Sequence, residues 1–238
     1  MAPIDEAQAP QIARPRYGYS RTHRALEVIG ITTFIGLSVA LGLRVGAYAT
    51  DLASALVVLS AAAFGYLLAD FLSGVAHWLG DRYGRPDTPV LGPSFVRPFR
   101  EHHIDPKGIT RHDFVEVNGN NCLASLPFLV AGLSLPGPER GERWPLFTIA
   151  VLLFVCVSGF GTNQFHKWSH MEDPPRLVAW LQRRRLILAP DHHDRHHTPP
   201  FETYYCITAG WLNGTLHRLG FWRLLERALT VVGVRPTP

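Results

Sequence analysis

Two long runs of uncharged, apolar residues near the start of the chain constrain its fold most strongly. Residues 28–49 contain a single charge, Arg44, and residues 52–69 contain none. A helix needs roughly 20 apolar residues to cross the hydrocarbon core of a bilayer. The two runs therefore predict two membrane-spanning helices, joined by a short turn over residues 48–51.

Two more apolar segments follow a long polar stretch. The first, residues 122–136, has an apolar core of about 14 residues and contains Pro127, so its length alone also allows a re-entrant segment. The second, residues 145–165, is long enough to span. We expect an all-α integral membrane protein with four helices, in which the third is short or tilted. The expected spans are about 28–49, 52–76, 122–136 and 145–165.

The distribution of arginine predicts the orientation of these spans. Four arginines precede the first span and six Lys or Arg residues lie in 82–111, whereas the two opposite loops hold only Arg44, Arg140 and Arg143. By the positive-inside rule, the N-terminal tail 1–24, the long loop and the C-terminus face the cytoplasm. The apolar run at residue 28 is too long and too distant for a signal peptide. A bias toward Arg, Ala, Gly and Pro is typical of a GC-rich bacterial genome, so we expect the bacterial inner membrane.

Composition also argues against two other classes of protein. The net charge of +4 comes from arginines that flank apolar segments, without an aromatic-basic recognition motif, so nucleic acid is not an expected partner. The three cysteines are far apart and have no CxxC spacing. Neither a disulfide framework nor a thiolate metal site is indicated.

Four histidines fall within residues 192–197. On a helix, His193 and His197 are four residues apart, as are His192 and His196, so several imidazoles project from one face. Imidazole binds zinc, copper, nickel and iron alike, and the spacing therefore predicts a metal site without choosing the metal. The alternative is a histidine-rich surface tract that binds nothing specific.

The same spacing of four recurs in two other places. His77 and Asp81 stand at the end of the second predicted span, and His166 and His170 stand just after the fourth. Two such side chains on one helical face can bind one ion. A single pair of this kind at a helix end also serves as an interfacial cap. Asp81 is expected to bind metal directly or to orient an imidazole.

The number of candidate ligands favours two metal ions. The adjacent His102 and His103 point in different directions on any regular element, so they suit two separate ions or one ion and a supporting role. A single zinc needs only three or four protein ligands, whereas eight histidines lie in these clusters. The candidates are His77, His102, His103, His166, His170, His193, His196 and His197, together with Asp81. They share one side of the membrane if the third and fourth segments both cross, or if neither of them crosses, and we expect four crossings.

The ordered set of motifs between residues 70 and 226 resembles the membrane lipid desaturases typified by plasmanylethanolamine desaturase. That family includes the CarF-type bacterial relatives and the plant chloroplast phosphatidylglycerol palmitate desaturase. The motifs are DFLSGVAHW at 70–78, RPFREHHIDP at 97–106, ITRHDF at 109–114, NGNN at 118–121, FHKWSH at 165–170, PDHHDRHH at 190–197, YCIT at 205–208 and GWLN at 210–213.

The resemblance implies one lipid desaturase domain over residues 25–238, with a cytoplasmic histidine-rich di-metal cap. It implies two iron ions, O2, and electrons from a small external carrier similar to ferredoxin or cytochrome b5. The implied reaction inserts a vinyl-ether double bond into the alkyl chain of a plasmanyl phospholipid, which yields a plasmalogen. An acyl-lipid desaturase, or a lipid hydroxylase with the same di-iron site, is the alternative. A membrane protein that binds metal without catalysis is a third class, and no catalytic residue beyond the ligands is predicted.

Three further sets of residues have two interpretations each. The aromatic set can line the boundary between bilayer and metal or form an interfacial belt. The cations of the long loop can hold a headgroup phosphate or only determine topology, and the arginine tract can dock an acidic electron carrier or anionic lipid. The aromatic set is Trp78, Trp168, Tyr204, Tyr205 and Trp211. The cations of the long loop are Arg97, Arg100, Lys107 and Arg111, and the arginine tract is Arg183, Arg184 and Arg185. Ligand roles for His112 and His192 are left open.

Overall fold

The computed structural model describes residues 21–89, 92–139 and 142–237, and within these ranges the chain is helical and has no β-strand. The α-helices are α1 (Arg21–Tyr48), α2 (Leu52–Arg82), α3 (Arg97–His102), α4 (Phe114–Ser134), α5 (Trp144–Ser169), α6 (Arg176–Arg183), α7 (Pro190–His193), α8 (Asn213–Arg218) and α9 (Phe221–Val231). The described residues also contain a π-helical turn (Gly92–Val96) and a 3-10 helix (Pro106–Arg111). The predicted all-α class is confirmed. Most of the predicted tail, up to residue 20, lies outside the described residues.

Three of the long helices are apolar enough to cross a membrane. They are α1, α2 and α5, with 28, 31 and 26 residues. At a rise of about 1.5 Å per residue, each is roughly 40 Å long or more, which exceeds the hydrocarbon thickness of a bilayer. Their outward faces carry large exposed side chains such as Leu43 (71% exposed) and Leu59 (66%). The chain is a membrane protein, as its sequence predicted.

Helix α2 begins at a capping box and continues well past its apolar run. The Asp51 carboxylate accepts the backbone N–H of Ser54, and the Ser54 hydroxyl accepts the backbone N–H of Asp51, so two otherwise unpaired donors are satisfied. The helix then extends without a break to Arg82. It therefore carries His77 and Asp81 beyond the apolar residues.

The third long helix, α4, begins earlier than the sequence predicted. It starts at Phe114 instead of residue 122 and passes without interruption through Pro127, over 21 residues. Its start is defined by Asp113, whose carboxylate accepts the backbone N–H groups of Val115 and Glu116, an N-cap arrangement. The helix is longer than the predicted segment 122–136 because the polar residues of its first half were assigned to the loop. The alternative of a tilted helix stays a prediction. Those residues pack inward, and Asn118 is fully buried.

Helices α1 and α4 are parallel and lie side by side, with their starts together and their ends together. Near their starts, Arg24 Nη1 lies 2.7 Å from Asp113 Oδ1. Twenty residues later, Arg44 donates to the backbone carbonyls of Gly132 and Leu133, both at 2.7 Å, at the end of α4. These carbonyls have no partner within the helix, so Arg44 acts as their cap.

The apolar core lies between α1, α2, α4 and α5. Leu41, Leu129 and Ile149 are completely buried there. Helices α2 and α5 approach closely at Gly65, where a Cβ atom would lie 2.8 Å from Phe154 Cβ and 3.0 Å from the backbone nitrogen of Val155. The close approach fixes the ends of α2 and α5 beside each other, and the predicted metal ligands occupy these ends.

Candidate metal centre

All nine candidate ligands lie in two compact groups. We call the first the five-histidine group: His102, His166, His170, His193 and His197. We call the second the aspartate group: His77, Asp81, His103 and His196. Within each group, every residue offers one ligand atom that lies within 4.8 Å of the others.

The imidazoles of the five-histidine group converge through their Nε2 atoms. His193 Nε2 lies 2.8 Å from His166 Nε2 and 3.0 Å from His197 Nε2. The distance from His197 Nε2 to His102 Nε2 is 3.1 Å, and that from His170 Nε2 to His166 Nε2 is 3.3 Å. A neutral imidazole has only one N–H, so these contacts cannot all be hydrogen bonds. Lone pairs that converge in this way suit a metal ion.

The aspartate group is centred on one carboxylate oxygen. Asp81 Oδ2 lies 3.0 Å from His103 Nε2, 3.4 Å from His196 Nε2 and 3.5 Å from His77 Nε2. The side chains of His77 and His196 are completely buried, and that of Asp81 is 6% exposed. Three imidazoles and a carboxylate in this arrangement form a second ligand set for a divalent ion.

Backbone carbonyls orient two imidazoles of the aspartate group. The Nδ1–H of His77 donates to the Tyr205 carbonyl at 3.2 Å, and that of His196 donates to the Thr203 carbonyl at 2.8 Å. Since a carbonyl can only accept, these bonds place the proton on Nδ1 and leave Nε2 bare. Both Nε2 atoms are buried without a hydrogen-bond partner among the described residues. An unsatisfied buried polar atom costs about 1–3 kcal/mol, so these two atoms fit metal coordination.

Burial keeps four imidazoles of the five-histidine group neutral. Burial, with a smaller contribution from the charge of neighbouring imidazoles, lowers the pKa of His170 to about 4 and that of His197 to about 3. The same two causes hold the pKa of His102 and His193 well below the usual value. The neutral imidazole is the form that binds metal, so no proton has to be displaced at neutral pH.

The two groups share a boundary, and neighbours in sequence fall on opposite sides of it. His102 belongs to one group and His103 to the other, and the same is true of His197 and His196. Ring centroids across the boundary are 5.3 Å apart for His103 and His197, and 5.5 Å apart for His196 and His197. Two ions bound by these groups would be close neighbours, and the structure favours the two-ion interpretation of the adjacent histidines.

A comparison with known protein families identifies the family of this chain. Residues 66–237 match the lipid desaturase domain. The chain belongs to the lipid desaturase domain family. This match covers all nine candidate ligands and the loops that orient them.

Individual relatives in the family are similar over most of the chain. Plasmanylethanolamine desaturase of Myxococcus xanthus is 51% identical over 90% of this chain and 74% of its own length. Plasmanylethanolamine desaturase 1 of Mus musculus is 49% identical over 72% of this chain and 64% of its own length. Fatty acid desaturase 4 of Arabidopsis thaliana chloroplasts is 34% identical over 90% of this chain and 64% of its own length. No solved structure matches the chain.

A buried carboxylate, Asp70, anchors the loop that supports the site of this family member. Asp70 Oδ1 accepts the backbone N–H groups of Thr208, Ala209 and Gly210 at 3.2, 2.9 and 2.8 Å. Asp70 is 0% exposed, and the loop it holds also supplies the Tyr205 carbonyl that orients His77. Sequence reasoning did not assign this role to Asp70. The available signal was an acidic residue directly after an apolar run.

The two histidines left open by the sequence lie outside both ligand groups. His112 Nδ1 pairs with Glu116 Oε1 at 3.0 Å. His192 Nε2 lies 3.3 Å from Asn213 Nδ2, and burial lowers its pKa. Both side chains have local partners, and neither faces a convergent set of ligands.

The aromatic residues divide between core and surface. Trp78 and Tyr205 are 2% and 1% exposed and pack with Trp222 inside the cap. Their burial under α9 argues against an interfacial belt for these two residues, and the Tyr205 ring lies beside His77 and His196. Trp211 is 48% exposed and stacks edge-on against Tyr66 of α2.

Most cations of the long loop already have partners within the chain. Arg100 donates to the carbonyls of Gly84 and Thr237. Two others form ion pairs, Lys107 with Glu172 and Arg111 with Asp105. A lipid phosphate at these side chains would compete with these contacts.

Proposed function

We propose that this chain is a di-iron lipid desaturase that converts a plasmanyl phospholipid into a plasmalogen. The observation that carries the proposal is the pair of adjacent ligand groups at the ends of two membrane helices, His77 and Asp81 on α2 and His166 on α5. A metal-binding protein without catalysis would not need two ion sites in contact. A lipid substrate fits helices whose outer faces are apolar.

The ligand chemistry supports two iron ions, one in each group. The donors are imidazoles and one carboxylate, without thiolate, which is a set that iron accepts. When bound, the ions would activate O2 for removal of two hydrogens from neighbouring methylenes, a reaction beyond the reach of side chains alone. The protein would hold the ions in a dry site, since His77, His193 and His196 are at most 1% exposed.

The names of the relatives support an ether lipid over an acyl lipid. The bacterial and mouse relatives, at 51% and 49% identity, are called plasmanylethanolamine desaturases. The chloroplast relative, called a fatty acid desaturase, is 34% identical. We therefore place the new double bond between the first two carbons of the alkyl chain, next to the ether oxygen.

The depth of the site supports the same choice. Asp70 is the first charged residue after the apolar run of α2, and His77 follows Ala69 by eight residues, or about 12 Å along the helix. The ligands would therefore sit at the membrane surface, near lipid headgroups. Carbons next to the ether oxygen are shallow and can reach this level, whereas a mid-chain methylene would have to rise much further.

The proposal includes four membrane crossings. Helix α5 ends at the site with His166, so its start lies at the far side of the membrane if it crosses. The chain leaves the site at His103 and must reach that far side through α4. The paired ends of α1 and α4 support a crossing by α4. The arginine bias would then put the site and both ends of the chain in the cytoplasm of a bacterium.

Expression in a host without plasmalogens tests this function. A synthetic plasmanyl lipid deuterated at the first two alkyl carbons should yield a vinyl ether that has lost one deuterium from each carbon and that acid cleaves. An unchanged ether chain beside new mid-chain acyl double bonds would favour an acyl-lipid desaturase. An oxygenated, saturated chain would favour a hydroxylase.

A further inference from the structure

A surface cavity lies beside the aspartate group and has no part in holding metal or lipid in the function proposed above. Its volume is about 270 Å³. Its walls include Arg195, Thr203, His217, Trp222 and Arg223. Several of these side chains connect to ligands of the aspartate group.

Thr203 makes the first connection. Its backbone carbonyl accepts the Nδ1–H of His196 at 2.8 Å, and its hydroxyl lies 2.8 Å from Nδ1 of His217. His217 is exposed in the cavity wall. A single residue therefore joins the cavity to a candidate metal ligand.

A set of contacting aromatic rings makes the second connection. Trp222, in the cavity wall, has its ring centroid 5.2 Å from that of Tyr205. The Tyr205 ring lies 5.0 Å from His196 and 5.8 Å from His77. Electron transfer through protein slows steeply with distance, so adjacent rings provide a short route from the cavity to the aspartate group.

The surroundings of the cavity are positively charged. Arg195 and Arg223 are exposed in its walls, and Arg227 lies one helical turn beyond Arg223 on the exposed side of α9. Two carboxylates lie nearby, Glu202 in the wall and Glu226 on α9, and both pair with the single guanidinium of Arg82. Arg82 cancels one of these two negative charges, and the three exposed arginines outweigh the other. An acidic partner would therefore meet an excess of positive charge.

The surface around the cavity, on α9, lies further from the membrane than the arginine tract 183–185. Helix α9 is tied to the end of α2 by Arg82, which binds both carboxylate oxygens of Glu226 at 3.0 Å. The tract is tied to α2 at Tyr66, whose hydroxyl donates to the Leu186 carbonyl. Helix α9 begins nearer to the tract, with the Phe221 ring 5.7 Å from that of Phe71. Measured along α2 from Tyr66, α9 therefore extends from about 7.5 Å, at Phe71, to about 24 Å, at Arg82.

The tract itself has the character of a membrane-surface segment. Leu177 and Trp180 on α6 are 67% and 44% exposed. The guanidinium of Arg184 lies 6.0 Å from the Trp180 ring, and Arg185 is paired with Asp191. Exposed apolar side chains next to arginines suit the headgroup layer. The surface around α9 also has such side chains, Leu219 and Leu224 at 64% and 57% exposed, so the two faces differ in their position along α2 and in the ring contacts of Trp222.

From these contacts we infer that the arginine face of α9 around the cavity, defined by Arg195, Arg223 and Arg227, docks an acidic one-electron carrier protein. Trp222 and Tyr205 would form the route by which electrons reach the ion that the aspartate group would hold. The inference rests on the proposed desaturase function, which needs an external reductant. Complementary charge would steer the encounter and raise its rate.

The electron count of the proposed reaction requires two such encounters. Two C–H bonds break and one C=C bond forms, so the substrate loses two protons and two electrons, equivalent to two hydrogen atoms. O2 takes these protons and electrons, two further protons and two carrier electrons, and becomes two waters. Each reduced carrier supplies one electron.

A matched pair of charge reversals tests the docking face, with a reduced acidic [2Fe–2S] ferredoxin as the carrier. The test variant is Arg223→Glu with Arg227→Glu, and the control is Arg183→Glu with Arg184→Glu, all at exposed positions. The full chain is held in nanodiscs of zwitterionic lipid at low salt. We measure ferredoxin binding to the metal-free protein and anaerobic oxidation of ferredoxin by the iron-loaded protein.

We expect the test variant to weaken binding and slow ferredoxin oxidation by about tenfold or more, and the control to stay within about twofold of wild type. Salt at roughly 0.5 M should remove the difference by screening. An equal or larger loss in the control would move the docking site to α6 and overturn the inference. Ferredoxin that fails to bind the wild-type protein would overturn it as well.

Dithionite separates a failure of this inference from a failure of the proposed function. It is a small reductant and needs no docking face. The iron-loaded wild-type protein is reduced anaerobically with dithionite, freed of excess reductant and then mixed with ether lipid and O2 for a single turnover. Absence of unsaturated lipid would refute the proposed function. Product formation with dithionite, together with unchanged ferredoxin binding in the test variant, would refute the docking face alone.

Discussion

The two ligand groups have similar donors but differ in charge and in support. The aspartate group contains the carboxylate of Asp81, and two of its imidazoles are oriented by backbone carbonyls. The five-histidine group has no carboxylate, and Nδ1 of His193 and of His197 is buried without a hydrogen-bond partner among the described residues. The aspartate group is thus partly neutralised and held in place before metal binds. The five-histidine group relies on the ion itself to hold its rings together.

The largest expected effect comes from removing two ligands of the five-histidine group. His193→Ala with His197→Ala should abolish desaturation and lower iron content from about two ions per chain to one, because three imidazoles bind the ion less tightly than five. Elemental analysis and product formation measure both effects. His112→Ala, outside both groups, is the control and should retain both ions.

Membrane insertion should survive this double replacement, since neither histidine lies in a long helix. One tightly held zinc and no iron in the wild-type protein would refute the di-iron assignment.

The next effect tests the carboxylate. Asp81→Asn keeps the shape of the side chain but removes its charge. Since Asp81 Oδ2 lies within 3.5 Å of three Nε2 atoms, we expect loss of the ion from the aspartate group alone and a fall in activity of about 100-fold or more. An orienting role would instead give a partial defect with both ions kept. Asp87→Asn, at an exposed ion pair with Arg85, is the control. Wild-type activity together with wild-type iron content in Asp81→Asn would contradict both roles.

A smaller effect tests the loop that supports the aspartate group. Asp70→Asn replaces one accepting oxygen by an NH2 group that faces backbone N–H donors. The loop carrying Tyr205 should loosen, and activity should fall about tenfold. Chelator competition should show faster iron loss from the aspartate group than from the five-histidine group. Equal loss from the two would indicate general destabilisation instead of positioning.

The smallest expected effect concerns Arg44, at the ends of α1 and α4 that lie away from the two ligand groups. Arg44→Ala leaves the last carbonyls of α4 without their cap, which should lower the free energy of unfolding by about 1–2 kcal/mol. Both ligand groups should keep their iron, since neither touches Arg44. Thermal unfolding with elemental analysis checks this, and selective loss of one ion would show that α4 is coupled to that group.

Local patterns in the sequence determined much of this protein. An uncharged run long enough to span a bilayer predicts a membrane helix wherever it occurs, and α1, α2 and α5 follow from such runs. Pairs four residues apart, such as His166 and His170, share a helical face for the same local reason. The candidate ligands were therefore available from spacing and count, and the resemblance to a family added the chemistry.

Tertiary structure alone decided how the ligands divide into two groups. His102 and His103 are adjacent in sequence, but their partners come from α2, α5 and the turn after α7, tens of residues away. The role of Asp70 depends likewise on a loop about 140 residues further along the chain. Helical periodicity relates residues within one turn or two, whereas these contacts depend on how separate helices pack, which no local pattern contains.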